Sequence, residues 1–445
     1  MLHLWLILTL LLAGCSPSVS PPEPTLIDGG YPPPNPGRFS RQSPPALTGA
    51  PLLRPGSRGG VVAHMYHTLG KHSSWSSTLP ATEAQVATAA EAPVAEAPTP
   101  EPLRLKLVAV GDNLIHYPIY EQAYDLTSDS YNFTASYAPV RELFAAADIA
   151  FLNQEVPTAG REFGLSSYPL FNSPWELARD MVEFLGVDVV NLATNHVIDK
   201  GLGGFLATKT YWQEYGALPI GVWHLEEEHG VRLLTCEGVS MAFVGYSYSL
   251  NGLDLVDWQG WQVGRIQNRE EITRDIIWGK EHADLVVVSC HWGDEGSLIP
   301  NREQQELAEL CAALNVDLVL GHHPHVLQPL ELLPRADGGL LPVYYSLGNF
   351  ISNQIEAENM LGGMATLDII ADTEGIRLAN PRLVPLVTHF TPGFRYTYIY
   401  PLEEYTAELA ANHGIRAYDS RFSLPWLWSL YERLITPPPS TSSPR

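Results

Sequence analysis

Gly321-His322-His323-Pro324-His325 is the stretch on which the reading of this chain turns. It follows the apolar run Val316-Asp317-Leu318-Val319-Leu320, which reads as a buried strand. Three histidines in four residues, one beside a proline, are a poor way to build an apolar core. In an extended segment, residues i and i+2 project to the same side. His323 and His325 are therefore expected to aim at one point, and His322 away from it. Pro324 fixes φ between them, and imidazole is the commonest metal-binding side chain. Surface histidines at a turn, or a core histidine satisfied by backbone, would look similar in isolation. The other strand ends decide the matter.

Leu105–Val110 has the length and β-branched content of a strand and runs into Gly111-Asp112. Ile149–Leu152 runs into Asn153-Gln154-Glu155, and Val187–Ala193 into Thr194-Asn195-His196. Asp284–Ser289 runs into Cys290-His291-Trp292-Gly293. Helical patterns lie between them at Ala138–Ala147, Pro174–Leu185, Gly203–Tyr215, Glu270–His282 and Arg302–Leu314. Ser173 is the expected N-cap of the second, with Pro174 at its first position. A hairpin is expected within Val231–Tyr246, and a further strand at Val343–Ser346 leads into Leu347-Gly348-Asn349-Phe350. After Asp372 the strands read as irregular. Leu402–Asn412 looks helical, and the aromatic-rich Phe422–Ile435 reads as a helix packed on the domain rather than a membrane or partner surface.

Strands alternating with helices imply an α/β fold with parallel βαβ units. Such sheets bind ligands beyond the carboxyl ends of their strands. Asp112, Glu155, Asn195, His196, His291, His323 and His325 all fall there. A mixed nitrogen and oxygen donor set suits Mn, Fe or Zn better than Ca. The set is large enough for two divalent metal ions bridged by a carboxylate, an arrangement that clamps both oxygens of a displacement. His196 is a candidate general acid. Asp199 either orients it through a carboxylate–imidazole hydrogen bond or caps the helix near Gly201. His116, four residues after Asp112, shares its face only if a helix begins there. Glu295 is a supporting or substrate-facing carboxylate, or a solvated loop residue. Cys290 points to the opposite face from His291, which argues against a Cys–His dyad. Ser346 lacks a Gly-x-Ser-x-Gly elbow, and no Gly-rich phosphate loop occurs.

Gly111-Asp112, Asn153-x-Glu155, Asn195-His196-x-x-Asp199-x-Gly201, His291-Trp292-Gly293-x-Glu295, Gly321-His322-His323-Pro324-His325 and Ser346-Leu347-Gly348-Asn349-Phe350 occur in that order. This series resembles the motifs of the CapA/PgsA family of poly-γ-glutamate capsule biosynthesis proteins, over roughly residues 103–383. That family is similar in fold to the calcineurin-like metallophosphatases. The resemblance implies an αββα sandwich with two metals at the strand ends. It implies that Asp112, Glu155, Asn195, His291, His323 and His325 are metal ligands and His196 a catalytic acid assisted by Asp199. His322, Glu295 and Asn349 would contact substrate or support the ligands. Leu114 stands where metallophosphatases carry a histidine, and Asn-x-Glu replaces their Gly-Asp pair. The function implied is synthesis or export of poly-γ-glutamate or a related cell-envelope polymer, by a metal-dependent hydrolase or transferase. Alternatives are a non-catalytic accessory subunit of a polymer synthase complex and a phosphoesterase unrelated to capsule.

The regions outside this domain differ in composition. Leu4–Leu12 is apolar but too short for a comfortable membrane span, and runs into Leu12-Ala13-Gly14-Cys15. Small residues before a cysteine resemble a bacterial lipobox, so residues 1–14 read as a lipoprotein signal peptide and Cys15 as the lipidated residue. A plain signal peptide, giving a secreted protein, is the alternative. Residues 15–102, rich in Pro, Ala and Ser, read as a disordered stalk that spaces the 103–400 domain from a membrane. Residues 401–445 read as C-terminal helices and a disordered tail. The net charge of −23 argues against nucleic acid as a partner. An anionic polymer would need a local cationic site such as a metal. Four cysteines are too few for a disulfide framework. Cys15→Ser is expected to release the protein from the membrane fraction; unchanged membrane association would remove the lipid anchor.

Overall fold

Each core strand divides its side chains between two faces, and that division sets the layers. The computed structural model describes residues 101–253 and 258–435. Cys15, the signal-like segment, nearly all of the stalk and the tail from residue 436 lie outside these described residues. In the strand Leu103–Asn113, Leu105, Leu107 and Ala109 enter one apolar cluster, while Val108 and Val110 enter another. Val239–Ser247 does the same: Met241 and Phe243 share the cluster of Leu107, and Ala242 and Val244 face a third. The shared cluster lies between two sheets, where Phe151 and Phe243 stack with centroids 6.4 Å apart. The outer clusters are covered by helices, including Glu176–Leu185 and Gly201–Glu214 on one side and Arg269–His282 and Arg302–Ala313 on the other. The result is the αββα sandwich that the resemblance implied.

The first sheet runs Thr397–Pro401, Gly375–Phe390, Leu361–Asp372, Leu103–Asn113, Ile149–Asn153, Val189–Asn191, Leu218–Ile220. Asn349–Ile351 pairs in parallel with the end of Leu103–Asn113. The second runs Leu330–Pro334, Leu340–Tyr344, Leu318–His322, Leu285–His291, Val239–Ser247, Arg232–Cys236. Within each sheet the strands that carry the expected site residues run parallel to one another, as the βαβ pattern predicts. Both sheets are nevertheless mixed, with antiparallel strands added on one edge of the first and on both edges of the second.

The region after Asp372 is not irregular: Gly375–Phe390 is a 16-residue strand paired with Leu361–Asp372. Its alternation is interrupted by a register shift opposite Asn380, which has φ 52°, and by Pro381 and Pro385. Bulges and prolines obscure a period of two. Ser173 does not cap the following helix, which begins at Glu176; its Oγ donates to the Pro157 carbonyl at 2.9 Å. Leu402–Asn412 is a 3-10 turn, Leu402–Glu404, followed by the short helix Ala407–Ala411. The C-terminal helix Leu424–Ile435 buries Leu427, Leu430 and Leu434 in the inter-sheet cluster, so it packs on the domain. Burying each such side chain stabilises by about 1.5–3 kcal/mol. Among the described residues, no helix is long and apolar enough to cross a membrane.

Candidate metal centre

The site lies where the parallel strands of both sheets end together. Asp112 reaches it because Gly111 lets the loop after Tyr345 press against the strand. A Cβ at Gly111 would sit 1.9 Å from the Gly348 carbonyl oxygen. The Asp112 amide donates to that oxygen at 2.9 Å. The Asp112 carboxylate is held on several sides. Asn153 Nδ2 donates to Oδ1 at 2.8 Å, His325 Nδ1 lies 3.1 Å from Oδ2, and the His323 amide donates to the pair at 3.2 and 3.3 Å.

Glu155 is the opposite case. It is fully buried, and neither carboxylate oxygen has a hydrogen-bond partner. His325 Nε2 lies 3.6 Å and His291 Nε2 3.9 Å from its Oε1. His291 Nε2 lies 2.9 Å from Asn195 Oδ1. His323 Nδ1 is also buried without a partner. Ligand atoms of Glu155, His323 and His325 fall within 4.8 Å of one another. A buried carboxylate without donors costs several kcal/mol unless a cation faces it. These residues therefore fit a divalent cation, with Glu155 placed between the imidazoles of His291 and His325. Asp112 and Asn349 flank His325 Nδ1, each at 3.1 Å, and leave Nε2 for the centre.

The electrostatics tell the same story. Burial raises the Glu155 pKa well above the ordinary carboxylate range. Burial lowers the His323 pKa to about 3, with His325 adding to the shift, and holds His291 well below its usual value. For His325 burial also opposes the charge, yet Glu155 and Asp112 together carry its pKa up to about 10. A cation at the centre would take over the role that the His325 proton plays beside these carboxylates.

Most of the expected residues arrive, though not always as expected. The strand ends at His322, and His323 and His325 adopt φ of 98° and 60°. Extended alternation is therefore not what brings their rings together; the turn around Pro324 is. Non-glycine residues at positive φ are rare and concentrate at functional sites. His322 points away: its ring stacks on Phe151 with centroids 5.9 Å apart, inside the sandwich. Asn349 supports His325, while Glu295 is exposed. His196 Nδ1 lies 2.7 Å from Asp199 Oδ2, and the same oxygen accepts the Phe171 amide at 2.7 Å. Asp199 thus orients His196 rather than capping the helix, whose N-cap is Lys200. His116 is buried and accepts the Asn353 amide at Nδ1, 3.3 Å away, with its ring edge-on to Phe171.

Sequence reasoning missed the supporting amides. Asn191 Nδ2 donates to Asn153 Oδ1 at 2.7 Å, and Asn153 passes the contact on to Asp112. Asn153 was visible in the Asn-x-Glu motif; Asn191, at the end of a short strand, carried no comparable signal. Tyr248, whose ring lies 4.3 Å from that of His323, and Asn251, which accepts from Asn195 Nδ2 at 3.3 Å, sit in a loop without periodicity.

Residues 106–354 match the family described as Bacterial capsule synthesis protein PGA_cap. The chain belongs to this family. The PGA_cap match contains every residue of the centre described above. Among relatives, the chain is 27% identical over 218 residues to PGA biosynthesis protein CapA of Bacillus subtilis (strain 168), covering 48% of this chain and 56% of that protein. It is 30% identical over 179 residues to Capsule biosynthesis protein CapA of Bacillus anthracis, covering 39% of this chain and 42% of that one. The chain thus spans about half the length of the curated relatives it matches. Among solved structures, it is similar to the calcineurin-like phosphoesterase YfkN of Bacillus subtilis, at 14% identity and a TM-score of 0.37, over 74% of this chain and 100% of that one.

Two outcomes follow from the geometry. Asn153→Ala frees the Asp112 carboxylate, so calorimetric Mn²⁺ affinity should fall about 10- to 100-fold while the fold is kept. Binding a cation must also displace the proton that His325 holds up to a pKa of about 10. Apparent Mn²⁺ affinity should therefore rise with pH across the neutral range, with proton release seen as a buffer-dependent heat.

Proposed function

We propose that this PGA_cap protein acts on an anionic cell-envelope polymer, poly-γ-glutamate or a relative of it, as a metal-dependent hydrolase or transferase. It would work outside the cytoplasm, held to the membrane by lipid on Cys15 and alongside subunits that synthesise or export the polymer. The observation that carries the catalytic part is the fully buried, donor-free Glu155 carboxylate facing His291, His323 and His325 beside an oriented His196–Asp199 pair. The names of the Bacillus relatives support the polymer.

Two divalent ions, of Mn, Fe or Zn, would supply a Lewis acid and a hydroxide near neutral pH. The chain's own residues do the rest. Glu155 lies between the imidazoles and would be the carboxylate that holds the ions. Asn195, His291, His323 and His325 would hold them with it. Asp112 and Asn349 fix the ring of His325, and Asn153 fixes Asp112. Asp199 holds Nδ1 of His196 and leaves Nε2 as the atom that gives a proton to a leaving group. With a net charge of −23 on the chain, bound metal ions would also give an anionic polymer a local point of attraction.

The purified protein should bind about two equivalents of Mn, Fe or Zn, the stoichiometry of a bridged site. The loaded protein should cleave or transfer γ-glutamyl chains, and His196→Ala should lower kcat about 10²- to 10⁴-fold with metal content unchanged. Absence of metal binding would sink the enzyme reading in favour of an accessory subunit. Turnover of simple phosphodiesters alone would move the substrate away from capsule.

A further inference from the structure

Beside the metal centre lies a partly buried guanidinium, that of Arg265, with no carboxylate partner among the described residues. Residues 264–266 lie alongside the end of the strand Val239–Ser247. Ser247 donates to the Gly264 carbonyl at 2.8 Å, and Ile266 donates back to the Ser247 carbonyl at 3.1 Å. The approach is close: a Cβ at Gly264 would sit 2.1 Å from the Gly245 carbonyl oxygen, so glycine is required there. This fixes Arg265 beside Tyr248. Arg265 Nη2 donates to the Tyr248 carbonyl at 3.1 Å, and Gln267 Nε2 donates to the same oxygen at 2.9 Å. Tyr248 in turn donates its amide to the His291 carbonyl at 2.9 Å and rests its ring 4.3 Å from His323. One residue therefore separates Arg265 from two of the metal-centre histidines.

Arg265 is partly buried, and its Nε is fully buried with no hydrogen-bond partner. Burial lowers its pKa, and among the described residues no carboxylate opposes that shift. Arg335 and Arg274, by contrast, form ion pairs with Asp317 and Asp275. A desolvated charge is rarely left unpaired, because it costs several kcal/mol without a partner. The carboxylates Asp294 and Glu295, which follow His291 by three and four residues, are exposed, so the rim there is acidic. A polymer bearing a carboxylate on every unit would meet repulsion there unless a cation took up the units next to the one being processed.

We propose that Arg265 is a specificity-determining residue that binds a free carboxylate of a γ-glutamyl polymer beside the metal centre, with Tyr248 as the wall between the two. This rests on the reading of the site as one that acts on an anionic polymer, and it adds where a neighbouring unit binds. The planar fork matches a carboxylate bidentately, which an ammonium does not.

The test is calorimetric titration of a γ-glutamyl hexamer into the Mn²⁺-loaded full-length protein, with a linear polyphosphate as a second probe. Arg265→Gln should weaken hexamer binding about 10- to 100-fold, the range for a charge-assisted contact. Arg265→Lys should recover part of it. Mn²⁺ affinity and the thermal midpoint should match wild type in both variants. Hexamer binding unaffected by Arg265→Gln would overturn the proposal, as would a wild type that does not bind the hexamer. Dependence on Arg265 confined to polyphosphate would overturn the carboxylate assignment. Should the wild type bind no Mn²⁺, the metal reading fails separately; the same titration of metal-free protein still decides the role of Arg265 by loss or retention of hexamer binding.

Discussion

A carboxylate buried with nothing to donate to it is the constraint on which this molecule is organised. Glu155 is fully buried and both of its oxygens are unpartnered. Desolvating such a group costs several kcal/mol, against a total stability of about 5–15 kcal/mol for an ordinary domain. The fold accepts that cost by facing the carboxylate with imidazoles from one strand end, His291, and one turn, His323 and His325. Without a cation, a proton on His325 answers the negative charge. The same arrangement is the one in which a divalent ion gains most, since both its ligands and its shelter from water are in place.

What fixes these groups is a set of buried amides as much as the strands themselves. Asn191 holds Asn153, Asn153 holds Asp112, and Asp112 with Asn349 flanks Nδ1 of His325. The chain of contacts crosses three neighbouring strands of one sheet and ends on a histidine delivered by the other. Packing of the two sheets through Phe151, Phe243 and their neighbours is therefore also what sets the spacing of the centre. A side chain such as His322, whose ring stacks on Phe151, belongs to that packing rather than to the chemistry.

Much of the centre was legible because strand ends in a parallel arrangement face one place. Asp112, Glu155, Asn195, His291, His323 and His325 each follow an apolar run, so their convergence needed only the βαβ rule. The details were less legible where a local rule was overridden. The convergence of His323 and His325 was foreseen for the wrong reason, because positive φ at both residues replaces the extended geometry assumed for them. Ser173 has the right side chain for an N-cap, but it bonds the Pro157 carbonyl instead. The long strand Gly375–Phe390 was hidden by its bulge and prolines. Asp199 could be read two ways until the Phe171 amide and His196 were seen to share one of its oxygens.

By itself the sequence determined the layers and the donor types. Alternating apolar faces demand sheets covered on both sides, and Asp, Glu, Asn and His after successive strands demand a polar site at one end. Only the tertiary structure decided which of these groups is free to bind and which is already occupied. Asp112 is engaged by Asn153, His323 and His325, whereas Glu155 has no donor at all. It likewise decided that Arg265 stands beside Tyr248 without a carboxylate among the described residues. The reason is physical: hydrogen-bond satisfaction and charge pairing depend on neighbours distant in sequence, and no local pattern records them.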